Sequence, residues 1–244
     1  MLADGRVLVV GGYDGVYLAS AELYDPATGA WTAADSLAIG LSSHSATLLA
    51  DGRVLLTGGH SLDVLKNAQI YDPLNVIRNA SFESAGVDPG EGHSFLPGDS
   101  TAITHWTVGG AGIDYLGGAW PPAEGRRSLD LNGPGSGSIR QVMDTSRWPR
   151  YLVTFSLAGN PDGGPAVKSL RVYAGSQFQD FTFDITGKSK ANMGWTVKSW
   201  TFLASAASTT LEFRSLTSGP YGPLLDKVRV IRAPAPPPTL LLLD

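Results

Sequence analysis

Residues Ile103 to Gln141 read ITHWTVGGAGIDYLGGAWPPAEGRRSLDLNGPGSGSIRQ. Three short segments in this stretch alternate apolar and polar residues: Ile113-Asp114-Tyr115-Leu116, Ser128-Leu129-Asp130-Leu131 and Ser138-Ile139-Arg140-Gln141-Val142. Glycine-rich turns separate them. Successive strand side chains point to opposite faces, so alternation of period two cut by turns spells a half-buried antiparallel sheet. Trp106, Tyr115 and Trp120 stand among glycines and turn residues rather than inside apolar runs. Rings on a sheet edge or loop, beside Asp and Asn, suit a sugar: a ring covers its apolar C–H face while fixed polar groups take its hydroxyls. The alternative for each ring is the sandwich core, and the exposure of Tyr115 and Trp120 decides between the two.

The same pattern extends outward. Strands are predicted over Thr101–Val108, Gly112–Leu116, Ser128–Leu131, Gly137–Val142, Arg150–Leu157, Val167–Ala174, Phe178–Phe183, Thr196–Phe202, Thr209–Ser215 and Leu225–Ile231. Turns are predicted at Asn132-Gly133-Pro134-Gly135, Asn160-Pro161-Asp162-Gly163-Gly164 and Gly219-Pro220-Tyr221-Gly222. This regular spacing suggests a two-sheet sandwich of the jelly-roll kind. Composition agrees: 244 residues with 30 Gly, 16 Pro and only 16% charged residues point to an all-β chain rich in turns.

A net charge of −4 gives no general reason to expect nucleic acid or an anionic membrane surface. The lack of cysteine removes disulfides, thiolate metal sites and cysteine nucleophiles together. The opening Met1-Leu2-Ala3-Asp4-Gly5 lacks the basic-then-apolar pattern of a signal peptide, and the run Leu240 to Leu243 is too short to cross a bilayer.

The first 75 residues echo themselves. Leu2-Ala3-Asp4-Gly5-Arg6-Val7-Leu8 returns at Leu49 to Leu55, and Ala21-Glu22-Leu23-Tyr24-Asp25-Pro26 returns as Ala68-Gln69-Ile70-Tyr71-Asp72-Pro73. Both pairs are displaced by the same 47 positions (2 to 49, 21 to 68). A period of this size with short strands means β-propeller blades, four strands to a blade. The diglycine Gly11-Gly12, then Tyr24, Trp31 and the strand His44 to Leu48 resemble kelch repeats specifically. After Asp72-Pro73 the pattern breaks, leaving about one and a half blades, whose faces would need covering by another chain. A frame truncated or recombined inside a propeller is the preferred account; assembly of several chains through these blades is the other.

From Val76 the chain resembles a second family. Asn79-Ala80-Ser81-Phe82-Glu83 looks like the opening of galactose-binding-like jelly rolls, and Leu225-Asp226-Lys227-Val228-Arg229-Val230 looks like their closing strand. With Trp106-Thr107-Val108, Ser128 to Gly133, Leu157 to Pro161 and Asn192-Met193-Gly194-Trp195 between them, the segment resembles the bacterial choice-of-anchor C proteins, relatives of a plant cell-wall family of unknown-function domains. The resemblance implies an exported, non-catalytic, extracellular or cell-surface module associated with polysaccharide. It also implies a structural Ca2+ shared by the opening and closing strands, with Glu83, Asp226 and the main chain near Ser81 as its ligands. The anchor such relatives carry is missing after Ala233-Pro234-Ala235-Pro236-Pro237-Pro238, a stiff spacer.

The organisation expected is therefore residues 1–75 as an incomplete kelch propeller fragment, 76–232 as a galactose-binding-like jelly-roll β-sandwich, and 233–244 as a proline-rich tail. Asp114, Tyr115 and Trp120 are the first candidates to hold a sugar. Asn160 and Asp162 follow as hydrogen-bonding groups, with turn formation as their other role, and Tyr221 as a ring at the rim. Trp106 and Trp195 are assigned to the core. Enzyme signatures are missing: His44, His60, His93 and His105 have no metal-ligand spacing, no Gly-x-Ser-x-Gly elbow occurs, and Gly133 to Gly137 lacks the strand-then-helix context of a nucleotide loop. Copper radical oxidases that pair kelch blades with such a sandwich require a cysteine this chain lacks. Asn79-Ala80-Ser81 matches a glycosylation sequon by pattern alone. The reading is a carbohydrate-binding module, with a scaffold that binds another protein as its rival.

Overall fold

The computed structural model describes residues 1–2, 5–37, 39–50, 52–61 and 68–233. The proline-rich tail, from residue 234, lies outside the described residues. Every strand pair is antiparallel, and no helix occurs among the described residues. Among the described residues no helix is long and apolar enough to cross a membrane.

The echo forms two three-stranded sheets. The first is β1 (Val7–Val10), β2 (Ala21–Asp25) and β3 (Ala30–Ala33); the second is β4 (Ser45–Leu48), β5 (Val54–Thr57) and β6 (Ala68–Tyr71). Each has three strands among the described residues where four per blade are expected. The strand of the His44–Leu48 motif pairs with β5 and so belongs to the second sheet. Leu2, Leu23, Leu41, Val54, Leu56 and Tyr71 bury themselves in one shared cluster, while Trp31 and Ile70 remain exposed.

Two larger sheets make an all-β jelly-roll sandwich. The six-stranded sheet runs β15 (Thr196–Leu203), β12 (Arg150–Gly159), β17 (Pro223–Arg232), β10 (Ser128–Asp130), β9 (Ile113–Leu116), β7 (His93–Leu96). The five-stranded sheet runs β14 (Gln177–Asp184), β13 (Val167–Ala174), β16 (Ser208–Ser215), β11 (Gly137–Asp144), β8 (Thr107–Gly110). Alternate residues of these strands, among them Val153, Phe155, Leu170, Val172, Leu211 and Phe213, form a single buried core. The period-two reading holds because one face of each sheet is water-facing and the other dry.

One local reading changes, and one strand is added. Most of the predicted strand Thr101–Val108 is loop, with only Thr107 onward in β8; His105 takes φ of 70°, which ends any extended run there. The strand His93–Leu96 is a short edge strand with one buried residue, and carries no alternation long enough to read.

The opening segment lies along the closing strand. Where β10 ends, residues 75–80 run beside β17: Val76 N–H donates to Val230 O (2.8 Å), and Val228 N–H to Ala80 O (2.9 Å). Asn79 is the corner of this segment. At φ of 51° its amide Nδ2 donates to Ser84 O (2.8 Å) and Thr104 O (2.9 Å), while its carbonyl accepts the Trp106 Nε1–H (3.0 Å). Asparagine tolerates this left-handed backbone and bonds its neighbours, which is why it opens the motif.

Candidate carbohydrate-binding face

The first sugar candidates do not converge. Tyr115 is 1% exposed, and its hydroxyl donates to Phe82 O at 2.7 Å. Burial pushes that phenol up to about 12. Asp114, its neighbour on β9, points to the opposite face, since strand side chains alternate. Asp114 is half-buried, and burial raises its carboxyl above the usual range. Trp120 is 6% exposed, with a buried Nε1–H that has no partner among the described residues. It lines a cleft of about 380 Å³ together with Pro121, Pro122 and Arg126. The expectation that Tyr115 and Trp120 stack on a sugar is corrected: neither offers an open ring face. Trp106 lies in the core at 1% exposure. Trp195 is partly buried and donates to Pro121 O (3.0 Å).

Asn160, Asp162 and Tyr221 are brought to one end of the sandwich, around a buried polar cluster. Asn160 Nδ2 donates to Asp130 Oδ2 (2.7 Å) and its Oδ1 accepts Asp162 N–H (2.9 Å). The buried Lys168 ammonium donates to Gly163 O (2.6 Å) and Tyr221 O (2.8 Å), tying the two loops together. The Tyr221 ring lies so close over Gly163 that a Cβ there would collide with it. Asp162 pairs with Lys190 at 2.8 Å. These contacts are those of turn and loop construction.

Glu83 and Asp226 also meet a common partner, the loop 123–127. Asp226, fully buried, accepts Ala123 N–H (2.8 Å) and Glu124 N–H (2.9 Å) on Oδ2, and Lys227 N–H (2.6 Å) on Oδ1. Glu83 Oε1 accepts Arg126 N–H (2.8 Å) and Arg127 N–H (2.9 Å). Ser81 Oγ donates to Glu124 Oε2 (2.6 Å). A calcium ion needs oxygen ligands. Here both Asp226 oxygens and Glu83 Oε1 accept main-chain N–H groups, while Glu83 Oε2 accepts none among the described residues, so a Ca2+ ion would share the acceptors of the loop.

A surface that no local motif announced lies on the outer face of the five-stranded sheet. Register places Thr107 beside Arg140, Arg140 beside Glu212, Glu212 beside Tyr173 and Tyr173 beside Phe178. Five strands at about 4.8 Å per step make this row about 19 Å long. The next row sets Arg214 beside Arg171 and Arg171 beside Asp180. Arg171 forks onto Asp180 (2.6 and 2.8 Å) and sits 4.2 Å from the Phe178 ring centroid. That bond holds the Asp180 carboxyl below its usual range. Arg214 bonds Glu212 (3.0 Å) and lies 5.0 Å from the Tyr173 ring. At the other end a cleft of about 510 Å³ is lined by Arg78, His105, Thr107, Arg140, Val142 and Asp144. Rings, planar forks and carboxylates on an open sheet can cover a sugar's apolar face and bond its paired hydroxyls. Reading this face required the pairing of strands far apart in sequence.

Residues 75–231 match the family model described as "Protein of unknown function (DUF642)", and residues 3–37 match a kelch motif model. Halomucin of Haloquadratum walsbyi is 32% identical over 167 residues, 66% of this chain. The chain spans only 2% of that protein's length. Among solved structures, TmCBM61 in complex with β-1,4-galactotriose superposes with a TM-score of 0.41 at 15% identity, covering 65% of this chain and 99% of that one. A family 35 carbohydrate-binding module of Clostridium thermocellum gives 0.40 at 14%, covering 57% and 99%.

Proposed function

This chain belongs, through residues 75–231, to the DUF642 family of proteins of unknown function, and we propose that it acts as a non-catalytic polysaccharide-binding module whose site is the outer face of the five-stranded sheet. The observation that carries this reading is the aligned row Arg140, Glu212, Tyr173, Phe178, with Arg171 and Asp180 beside it. It joins half-buried and exposed rings to fixed, planar hydrogen-bonding groups on a surface long enough for several sugar units. A flat open face covers little of its ligand, so each contact is weak. Work outside the cell or at its surface, in keeping with the choice-of-anchor C resemblance, is part of the same proposal.

The test is a binding screen of the full chain against immobilised neutral polysaccharides, beside an Arg171→Ala/Phe178→Ala variant. Losing a ring contact and a charged hydrogen bond is expected to weaken binding about tenfold or more. Tm should stay close to that of the parent, because both side chains are surface groups. Binding unchanged in the variant would move the site elsewhere. A folded chain that binds no glycan would favour the rival, a scaffold for another protein, which the burial of Tyr115 and Trp120 already suits.

A further inference from the structure

Not every arginine on the proposed face is balanced. Arg171 and Arg214 each have a carboxylate partner. The guanidinium groups of Arg78 and Arg140 have neither a hydrogen bond nor an ion pair among the described residues. Both line the same cleft, with His105 beside them. The Arg78 main chain is fixed by the strand beside it. Gln141, 6% exposed, takes Arg78 N–H on its Oε1 (2.8 Å) and donates its Nε2–H to Arg78 O (2.9 Å). This amide clamp ties Arg78 to β11, and Arg140 is the preceding residue on that strand. Of the carboxylates nearby, Asp35 accepts Asn79 N–H (2.7 Å) and interacts electrostatically with Arg78 without a hydrogen bond to it, and Asp144 lines the cleft without an ion pair among the described residues.

We propose that this cleft is the subsite for the acid group of an anionic polysaccharide, a carboxylate or a sulfate ester, seated between Arg78 and Arg140. The proposal rests on the sheet-face reading above and deepens it. Two guanidinium groups that line one cleft without a hydrogen-bonded counter-ion repel each other, and an anion between them lowers that cost while accepting planar, charge-assisted hydrogen bonds. The chain is acidic overall, so this is a local feature rather than a general attraction for anions. Arg140 is also a member of the row that reaches Phe178. The acid group is thereby held at one end of the surface that covers the rest of the sugar chain, with Asp144 available to accept a neighbouring hydroxyl.

The experiment measures binding of the full chain to cellulose, dextran and galactan, each as the neutral, carboxymethylated and sulfated polymer. An Arg78→Gln/Arg140→Gln variant is run beside the parent, with Tm as the folding control. For at least one backbone, a charged form is expected to bind about tenfold tighter than the neutral form, a preference that salt weakens. The variant should bind charged and neutral forms alike. The carboxymethyl and sulfate arms show which acid group the cleft takes. Equal binding of neutral and charged polymers by the parent overturns this inference and leaves the sheet-face reading standing. So does a charge preference that survives in the variant. Binding to none of the polymers overturns both.

Discussion

At the scale of the residue, the burial of Tyr115 gives its hydroxyl a definite task. Its hydroxyl satisfies the main-chain oxygen of Phe82 inside the core. Tyr115→Phe keeps the ring and leaves that carbonyl unpaired, so a loss of about 1–3 kcal/mol is expected in denaturant unfolding, with polysaccharide binding unchanged. Loss of binding in a stable variant would return Tyr115 to the list of contact residues. The side on which it falls follows from the alternation Ile113-Asp114-Tyr115-Leu116, because Asp114 and Tyr115 cannot share a face. Which face is dry is not written in that segment.

At the scale of the element, the loop 123–127 is latched by two acids from distant parts of the chain, Glu83 in the opening segment and Asp226 on β17. Asp226→Ala strips the acceptor from the Ala123 and Glu124 N–H groups inside the protein, and about 2–4 kcal/mol of destabilisation is expected. Since main-chain N–H groups already satisfy Asp226 and Glu83 Oε1, a chelator is expected to leave the parent's Tm where it is. A chelator-induced drop that Asp226→Ala abolishes would establish the calcium site instead. Asn75 performs a comparable task at the start of the sandwich. Its Oδ1 accepts Val230 N–H (2.8 Å) and its Nδ2 donates to Val228 O (3.3 Å), in line with Arg229 pairing to Asp72. Asn75→Ala is expected to lower the unfolding midpoint by an amount equal to about 1–3 kcal/mol.

At the scale of the whole molecule, three carboxylates shape the response to pH, Asp130 and Asp226 fully buried and Asp35 half-buried. Burial is the leading cause in each case, and it raises Asp35 to about 6, Asp130 to about 7 and Asp226 to about 8. In the unfolded chain these groups ionise near pH 4. Between that pH and their folded values the native state binds more protons than the unfolded state, so stability falls as pH rises. Each group contributes at most about 1.4 kcal/mol per pH unit across its own window. Unfolding free energy is expected to be greater at pH 5 than at pH 8, and Asp130→Asn should flatten the slope. A stability that rises across this range would refute the assignment.

The strands themselves were legible. Val167–Ala174 is a strand as predicted, and Arg150, Thr196 and Ser208 open or adjoin strands where the alternation places them. The reason is that period two is a local property, imposed residue by residue by the dry and wet faces of a sheet. The 47-residue echo and the two ends of the sandwich motif were equally local. The candidate site was not. Arg140 meets Glu212 across 72 positions, and Glu212 meets Tyr173 from the far side of another strand pair. Such partners are chosen by register between strands, which depends on how the whole core packs. The sequence by itself determined an all-β chain, its turns and its family motifs. Only the tertiary structure decided that Tyr115 and Trp120 lie inside, that Glu83 and Asp226 grip one loop, and that Arg78 and Arg140 share a cleft unpaired, because burial and charge balance belong to the assembled sheets.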